Sequence, residues 1–293
     1  MLISQNAFYT IYLINCFTRL IDLAVIISTF LGTMNRVLEL NEELTLNLQK
    51  TSRQYIARHP SLEYNSEDIS SPYLTCSNVT IEIPAQGSRV RRCIVKNLKL
   101  KLALKENVLI TGNSGVGKTS FLRTIKHLWF ESNGGINWRF NVEDPSQVMF
   151  IASTPVLTQN SLAYQIVYPK IFNIENYQNN EFLAAVKDIL HTLELSHLLD
   201  IDIFEEQQLS WSESLSYGEA QRLNLARVFY YRPKVVFIDE ATNGLPIQVE
   251  QKLLKTLQSF GITVIQAGHR LSTELFQRQL HFCTDCTVTD KNL

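Results

Sequence analysis

The stretch Gly112-Asn113-Ser114-Gly115-Val116-Gly117-Lys118-Thr119 constrains this chain most, because it fits G-x-x-x-x-G-K-T without exception. An apolar strand, Asn107–Ile110, precedes it. A helix, Thr119–Phe130, follows, with Leu122, Ile125 and Trp129 at helical spacing. Glycines let a backbone wrap so that its N–H groups point inward at phosphate oxygens. The helix N-terminus adds the positive end of its dipole. The pattern therefore implies a bound nucleotide, held by Gly112 through Thr119 and the adjoining Ser120. Lys118 can reach the β- and γ-phosphates, and Thr119 can hold Mg²⁺. A chance glycine-rich turn is the bland alternative, and the flanking strand and helix weigh against it.

A second apolar run, Val235–Ile238, reads as a buried strand that ends in Asp239 and Glu240. Unpaired carboxylates are costly at the end of a buried strand. Asp239 is placed to serve the metal. Glu240, one residue on, is placed to orient or deprotonate a water.

Composition narrows the setting. The net charge of −1 gives no basic field for nucleic acid, and five cysteines form too sparse and odd a set for a disulfide framework. Residues 1–50 begin strongly apolar, in Ala7–Phe17 and Leu20–Met34, and turn polar from Asn35. No basic opening or cleavage site marks them as a signal peptide. Arg19 and Asp22 separate the apolar runs and share a helix face, which a span packed inside a bundle tolerates. A buried amphipathic helix of a soluble protein is the competing reading. Residues 51–72 are polar, with Pro60 and Pro72, and read as a linker. From residue 73 to 293, short β-branched runs alternate with helical patterns, as in an α/β domain.

Leu215-Ser216-Tyr217-Gly218-Glu219-Ala220-Gln221-Arg222 resembles the LSGGQ-type signature of the ABC ATPases. The resemblance implies a P-loop NTPase domain of ABC type, with a helical signature subdomain, preceded by the end of a transmembrane helical domain. It implies a head-to-tail dimer with a second half-transporter, in which Ser216, the Gly218 amide and Glu219 meet the nucleotide held by the opposite subunit. His269, just after the strand Ile262–Gln266, matches the family's γ-phosphate sensor. Trp211, Gln221-Arg222 with Ala226-Arg227, Phe229-Tyr230 and Arg232-Pro233-Lys234 resemble subfamily D. Leu109-Ile110-Thr111-Gly112-Asn113 with Gly117-Lys118-Thr119-Ser120, Asn6-Ala7-Phe8, Tyr12-Leu13-Ile14, Phe17–Leu23 and Tyr168-Pro169 resemble most its lysosomal, cobalamin-exporting branch. The resemblance implies an organelle membrane, lysosomal or endoplasmic reticulum in preference to peroxisomal. It also implies cobalamin as cargo, with very-long-chain acyl-CoA as the alternative. At most one span is present where six are implied, so the chain is expected to be the C-terminal part of a half-transporter.

Four positions depart from the family pattern. Ser153 stands where a metal-ligating glutamine is expected, Pro246 where an aspartate is, and Tyr217 where the first signature glycine is. The adenine-stacking aromatic aligns with Ile83, and Tyr73 is the nearby candidate. The expectation is ATP binding with slower hydrolysis. A regulatory subunit that binds ATP and stabilises a partner stays open, as does a soluble ABC ATPase. Cys283-Thr284-Asp285-Cys286 is a single C-x-x-C and does not make a zinc site. Arg89-Val90-Arg91-Arg92 reads as a solvated hairpin tip.

Overall fold

Helix α1 (Leu2–Arg58) opens the computed structural model, which describes residues 2–58, 72–84, 91–129, 133–170, 177, 179–205, 210–268 and 273–293. No proline precedes Pro60, so nothing breaks the helix earlier. It therefore runs through residues 51–58, which composition assigns to a linker, while 59–71 lie outside the described residues. Its segment Tyr9–Glu42, 34 residues long, contains an 18-residue window with a mean hydropathy of 1.7 that is 0% buried. A bilayer crossing needs about 20 apolar residues. The hydroxyls of Thr18, Thr29 and Thr33 donate to the carbonyls of Ile14, Ile26 and Phe30. These three threonines thus satisfy their hydroxyls within the helix itself.

The chain divides into two compact units, Met1–Asn65 and Ser66–Leu293. The second unit is built on a six-stranded sheet, β5 (Val148–Ile151), β6 (Val235–Asp239), β7 (Thr263–Ala267), β3 (Val108–Gly112), β8 (Arg278–Phe282) and β9 (Val288–Asn292), in that spatial order. All its pairings are parallel except β8–β9. A three-stranded antiparallel sheet has the order β2 (Arg91–Leu102), β1 (Leu74–Pro84), β4 (Asn133–Trp138). Pro84 pairs with Arg91, consistent with a hairpin whose tip, 85–90, lies outside the described residues.

Strand alternation sorts the core into two layers. Val108, Ile110, Val235, Phe237, Ile265 and Ala267 face the antiparallel sheet and helix α2 (Lys118–Ile125). Leu109, Val236, Ile238 and Val264 face the helical layer. That layer comprises α3 (Leu162–Val167), α4 (Asn180–Thr192), α5 (Trp211–Ser214), α6 (Tyr217–Tyr231) and α7 (Ile247–Ser259). Both faces of the central strands are covered, which is why β6 reads as an unbroken apolar run.

Buried Arg227 on α6 ties this layer together. It donates to the carbonyls of Gln165 and Val156 and to Asn224 Oδ1, and its guanidinium lies 4.6 Å from the centre of the Tyr168 ring. Burial pulls its pKa down to about 10.

Two sequence expectations change. Helix α2 stops at Ile125, because His127 takes a left-handed conformation (φ +60°). Trp129 consequently lies beyond the helix, beside Arg123, whose guanidinium is 5.3 Å from its ring centre. Tyr73 is 1% exposed, with its ring 6.0 Å from those of Trp138 and Phe140. It belongs to the core and offers no face to an adenine.

Candidate nucleotide-binding site

Strand β3 delivers the chain to Gly112 between β7 and β8. A Cβ at Gly112 would lie 2.6 Å from the backbone oxygen of Phe282. Gly115 and Gly117 have φ of +77° and +108°, where a side chain is strained. At Gly117 space forbids one as well, since a Cβ would fall 1.8 Å from Ile94 Cγ2 on β2. Gly112, with φ of +138°, and Gly117 therefore answer to both conformation and packing, and Gly115 to conformation alone. Gly117 is the N-cap of α2, so the loop opens directly into the helix N-terminus.

Lys118 is 5% exposed. Its Nζ donates to Gly112 O at 2.9 Å and Asn113 O at 3.2 Å, and it lies 3.8 Å from Glu240 Oε1. The Thr119 hydroxyl donates to Asp239 Oδ1 at 3.2 Å. Burial raises the Asp239 pKa. The Thr119 hydrogen bond works against that rise, neighbouring Glu240 adds to it, and Arg123 and Lys118 oppose it. The hydroxyl and carboxylate form a hard-oxygen pair of the kind that suits Mg²⁺.

Glu240 has φ +54°, an unusual backbone conformation for a residue with a side chain. Its amide donates to Ala267 O at 2.9 Å, and Asn243 supports it twice. The Asn243 amide donates to Glu240 O at 3.2 Å, and its Nδ2 donates to Glu240 Oε2 at 3.3 Å. Strand β7 ends alongside this point, with Ala267 paired to Asp239. His269 lies outside the described residues.

Ser216 is the N-cap of α6 and forms a capping box with Glu219. Glu219 Oε2 accepts from Ser216 N at 2.9 Å and from its hydroxyl at 2.6 Å, and the other carboxylate oxygen lies 3.2 Å from His197 Nε2. The Ser216 hydrogen bonds hold the Glu219 carboxyl below its usual pKa. Within this chain Glu219 thus serves the helix end. The structure brings Gly112–Thr119, Asp239 and Glu240 together, while Ser216, Gly218 and Glu219 form a separate cluster at the start of α6.

The sequence reading missed three supports. Asn243 braces Glu240. Gln221 Oε1 accepts from Gly244 N at 3.0 Å. Buried Gln266 donates to Thr242 Oγ1 at 3.0 Å and to Glu250 Oε1 at 2.6 Å, and the Thr242 hydroxyl donates to Glu250 Oε1 at 2.5 Å. A glutamine following the apolar pair Val264-Ile265 in buried strand β7 was the available signal.

The ABC transporter family model matches residues 95–243. The human lysosomal cobalamin transporter ABCD4 is 34% identical over 287 residues, covering 94% of this chain and 46% of that protein. ABC transporter D family member 1 of Arabidopsis thaliana is 27% identical over 92% of this chain and 20% of its own length. The chain thus spans less than half the length of these relatives. A solved structure of a bacterial Atm1-family ABC exporter with ATP bound shares the fold, with a TM-score of 0.60 and 22% identity, covering 75% of this chain and 39% of that one.

Proposed function

The chain belongs to the ABC transporter family, and from that premise we propose that its ATP-binding domain hydrolyses ATP as one half of a membrane-embedded pair. The observation that carries this reading is the meeting of Lys118, Thr119, Asp239 and Glu240 against one glycine loop. Lys118 supplies a buried cation for the β- and γ-phosphates. The loop amides and the start of α2 orient the phosphate chain. Thr119 and Asp239 would hold Mg²⁺, which when bound neutralises charge on the β- and γ-phosphate oxygens. Glu240, held by Asn243 and the Ala267 carbonyl, accepts the proton of the attacking water.

The remaining residues enter through the partner. Ser216 and the Gly218 amide of one copy face the γ-phosphate held by the other, with Glu219 capping the helix that presents them. His269 reads the same phosphate. Helix α1 serves as the last span and its cytoplasmic extension, the linker that follows it ends at residue 72, and 73–293 form the ATP-binding domain. The membrane is that of an organelle, lysosomal or endoplasmic reticulum. Cobalamin is the proposed cargo, on the likeness to the ABCD4 transporters, with very-long-chain acyl-CoA as the alternative.

A slow or regulatory subunit is the second reading. It is favoured by Ser153 and Pro246 at positions where the family pattern calls for glutamine and aspartate, and by Tyr217 within the signature. The test is phosphate release by the full chain in lipid nanodiscs. Release that requires Mg²⁺ and disappears in Lys118→Ala supports hydrolysis. ATP binding without Mg²⁺-dependent release supports the second reading instead.

A further inference from the structure

Tyr217 opens α6 with its side chain 58% exposed, and alone it would pass as a surface aromatic. Its contacts say more. The phenol hydroxyl donates to Ser153 O at 3.1 Å, bridging α6 to the loop that follows β5. The ring edge lies against Gly244, where a Cβ would sit 3.1 Å from Tyr217 Cδ1. Gln221 follows four residues later on the same helical face. It is 1% exposed, accepts from Gly244 N at 3.0 Å, and lies 2.6 Å from that same Cβ position.

Gly244 does not have a left-handed φ. Glycine is needed there because two side chains of α6 occupy the space. Gln221 keeps this position although its buried Nε2 lacks a hydrogen-bond partner, an arrangement that ordinary side-chain satisfaction would disfavour.

The turn these side chains grip carries Asn243, whose amide and Nδ2 both bond Glu240. On the other side, Thr242 is fixed by Gln266 and Glu250. Glu240 has a left-handed backbone, which persists only where surrounding structure holds it. Ser153 and Tyr217, set apart in the sequence as separate departures, therefore meet, and Tyr217 also packs on the turn at Gly244.

We infer that Tyr217, with Gln221, is a positioning residue for hydrolysis: it fixes the 242–245 turn that braces Glu240 and ties that turn to the loop at Ser153. The inference rests on the reading of Glu240 as the group that takes the water's proton.

The test uses the full chain in nanodiscs, with kcat, KM for ATP and equilibrium binding of a fluorescent ATP analogue measured for each variant. Tyr217→Ala is expected to lower kcat about fivefold, with KM and analogue affinity unchanged within about twofold. Tyr217→Phe keeps the ring against Gly244 and is expected to recover most of that loss. Gly244→Ala, which drives a Cβ into Gln221 and Tyr217, is expected to lower kcat similarly. The double variant Tyr217→Ala/Gly244→Ala is expected to fall short of the product of the single effects by about fivefold. Multiplicative effects, an unchanged kcat in Tyr217→Ala, or a parallel loss of analogue binding would overturn the inference. Glu240→Gln separates the two levels. If that variant keeps its hydrolysis, the base assignment itself has failed; if it loses hydrolysis while Tyr217→Ala does not, only the positioning role has.

Discussion

The Thr119 hydroxyl donates to the Asp239 carboxylate at 3.2 Å, so the first turn of α2 and the tip of β6 meet at one oxygen pair. The proposed metal site and the phosphate loop are thereby coupled before either meets a ligand. Thr119→Val keeps the shape and removes the hydroxyl. We expect the Mg²⁺ concentration for half-maximal hydrolysis to rise on the order of tenfold. Binding of ATP in the presence of a chelator should change little. Titration of phosphate release with Mg²⁺ checks this.

Asp239 carries a stability cost where it is buried. Burial raises its pKa, so as pH falls the folded chain takes up this proton before the unfolded chain does. The charged carboxylate therefore opposes folding fully above its raised native pKa. The penalty shrinks as pH falls through that value and is gone below the ordinary carboxylate value of 3.8. Asp239→Asn should raise the thermal midpoint at pH 7 while removing Mg²⁺-dependent hydrolysis. Its advantage should shrink steadily in thermal scans as pH falls toward the ordinary carboxylate value of 3.8.

Gly117→Ala meets two separate obstacles, a φ of +108° and a contact 1.8 Å from Ile94 Cγ2. The backbone part alone costs about 1–3 kcal/mol. We expect a lower thermal midpoint and loss of ATP-dependent stabilisation. Adding Ile94→Ala removes the contact and leaves the backbone strain. The double variant should recover part of the midpoint and none of the response to ATP, read by thermal unfolding with and without nucleotide.

Helix α1 exposes Tyr12, Phe17, Leu20, Ile21, Ile26 and Phe30, each 59% or more. An apolar surface of that extent is covered by lipid or by other helices. The chain should remain in the membrane pellet after carbonate washing. Quantitative release into the supernatant would show that α1 does not span.

Much of the site was legible in the sequence because its demands are local. Gly112–Thr119 imposes its own backbone path, and Val235–Ile238 signals burial directly before Asp239 and Glu240. What escaped depends on distant partners. The burial of Tyr73 follows from β1 pairing with both β2 and β4, which its neighbours in sequence do not reveal. The early end of α2 follows from a left-handed His127, although Trp129 continues the helical spacing. Helix α1 overruns the polar stretch because polar residues without proline do not stop a helix. The bracing of Glu240 by Asn243, and of that turn by Gln221, joins α6 to the loop after β6, and no spacing rule spans such a gap.

We propose that Glu240 takes a proton from water beside a phosphate loop that binds ATP independently of it. The most direct test is Glu240→Gln in the full chain, with ATP binding and phosphate release measured on the same preparation. We predict binding equal to that of the unaltered chain and release reduced at least about 100-fold. Release at the unaltered rate, with binding intact, would contradict it.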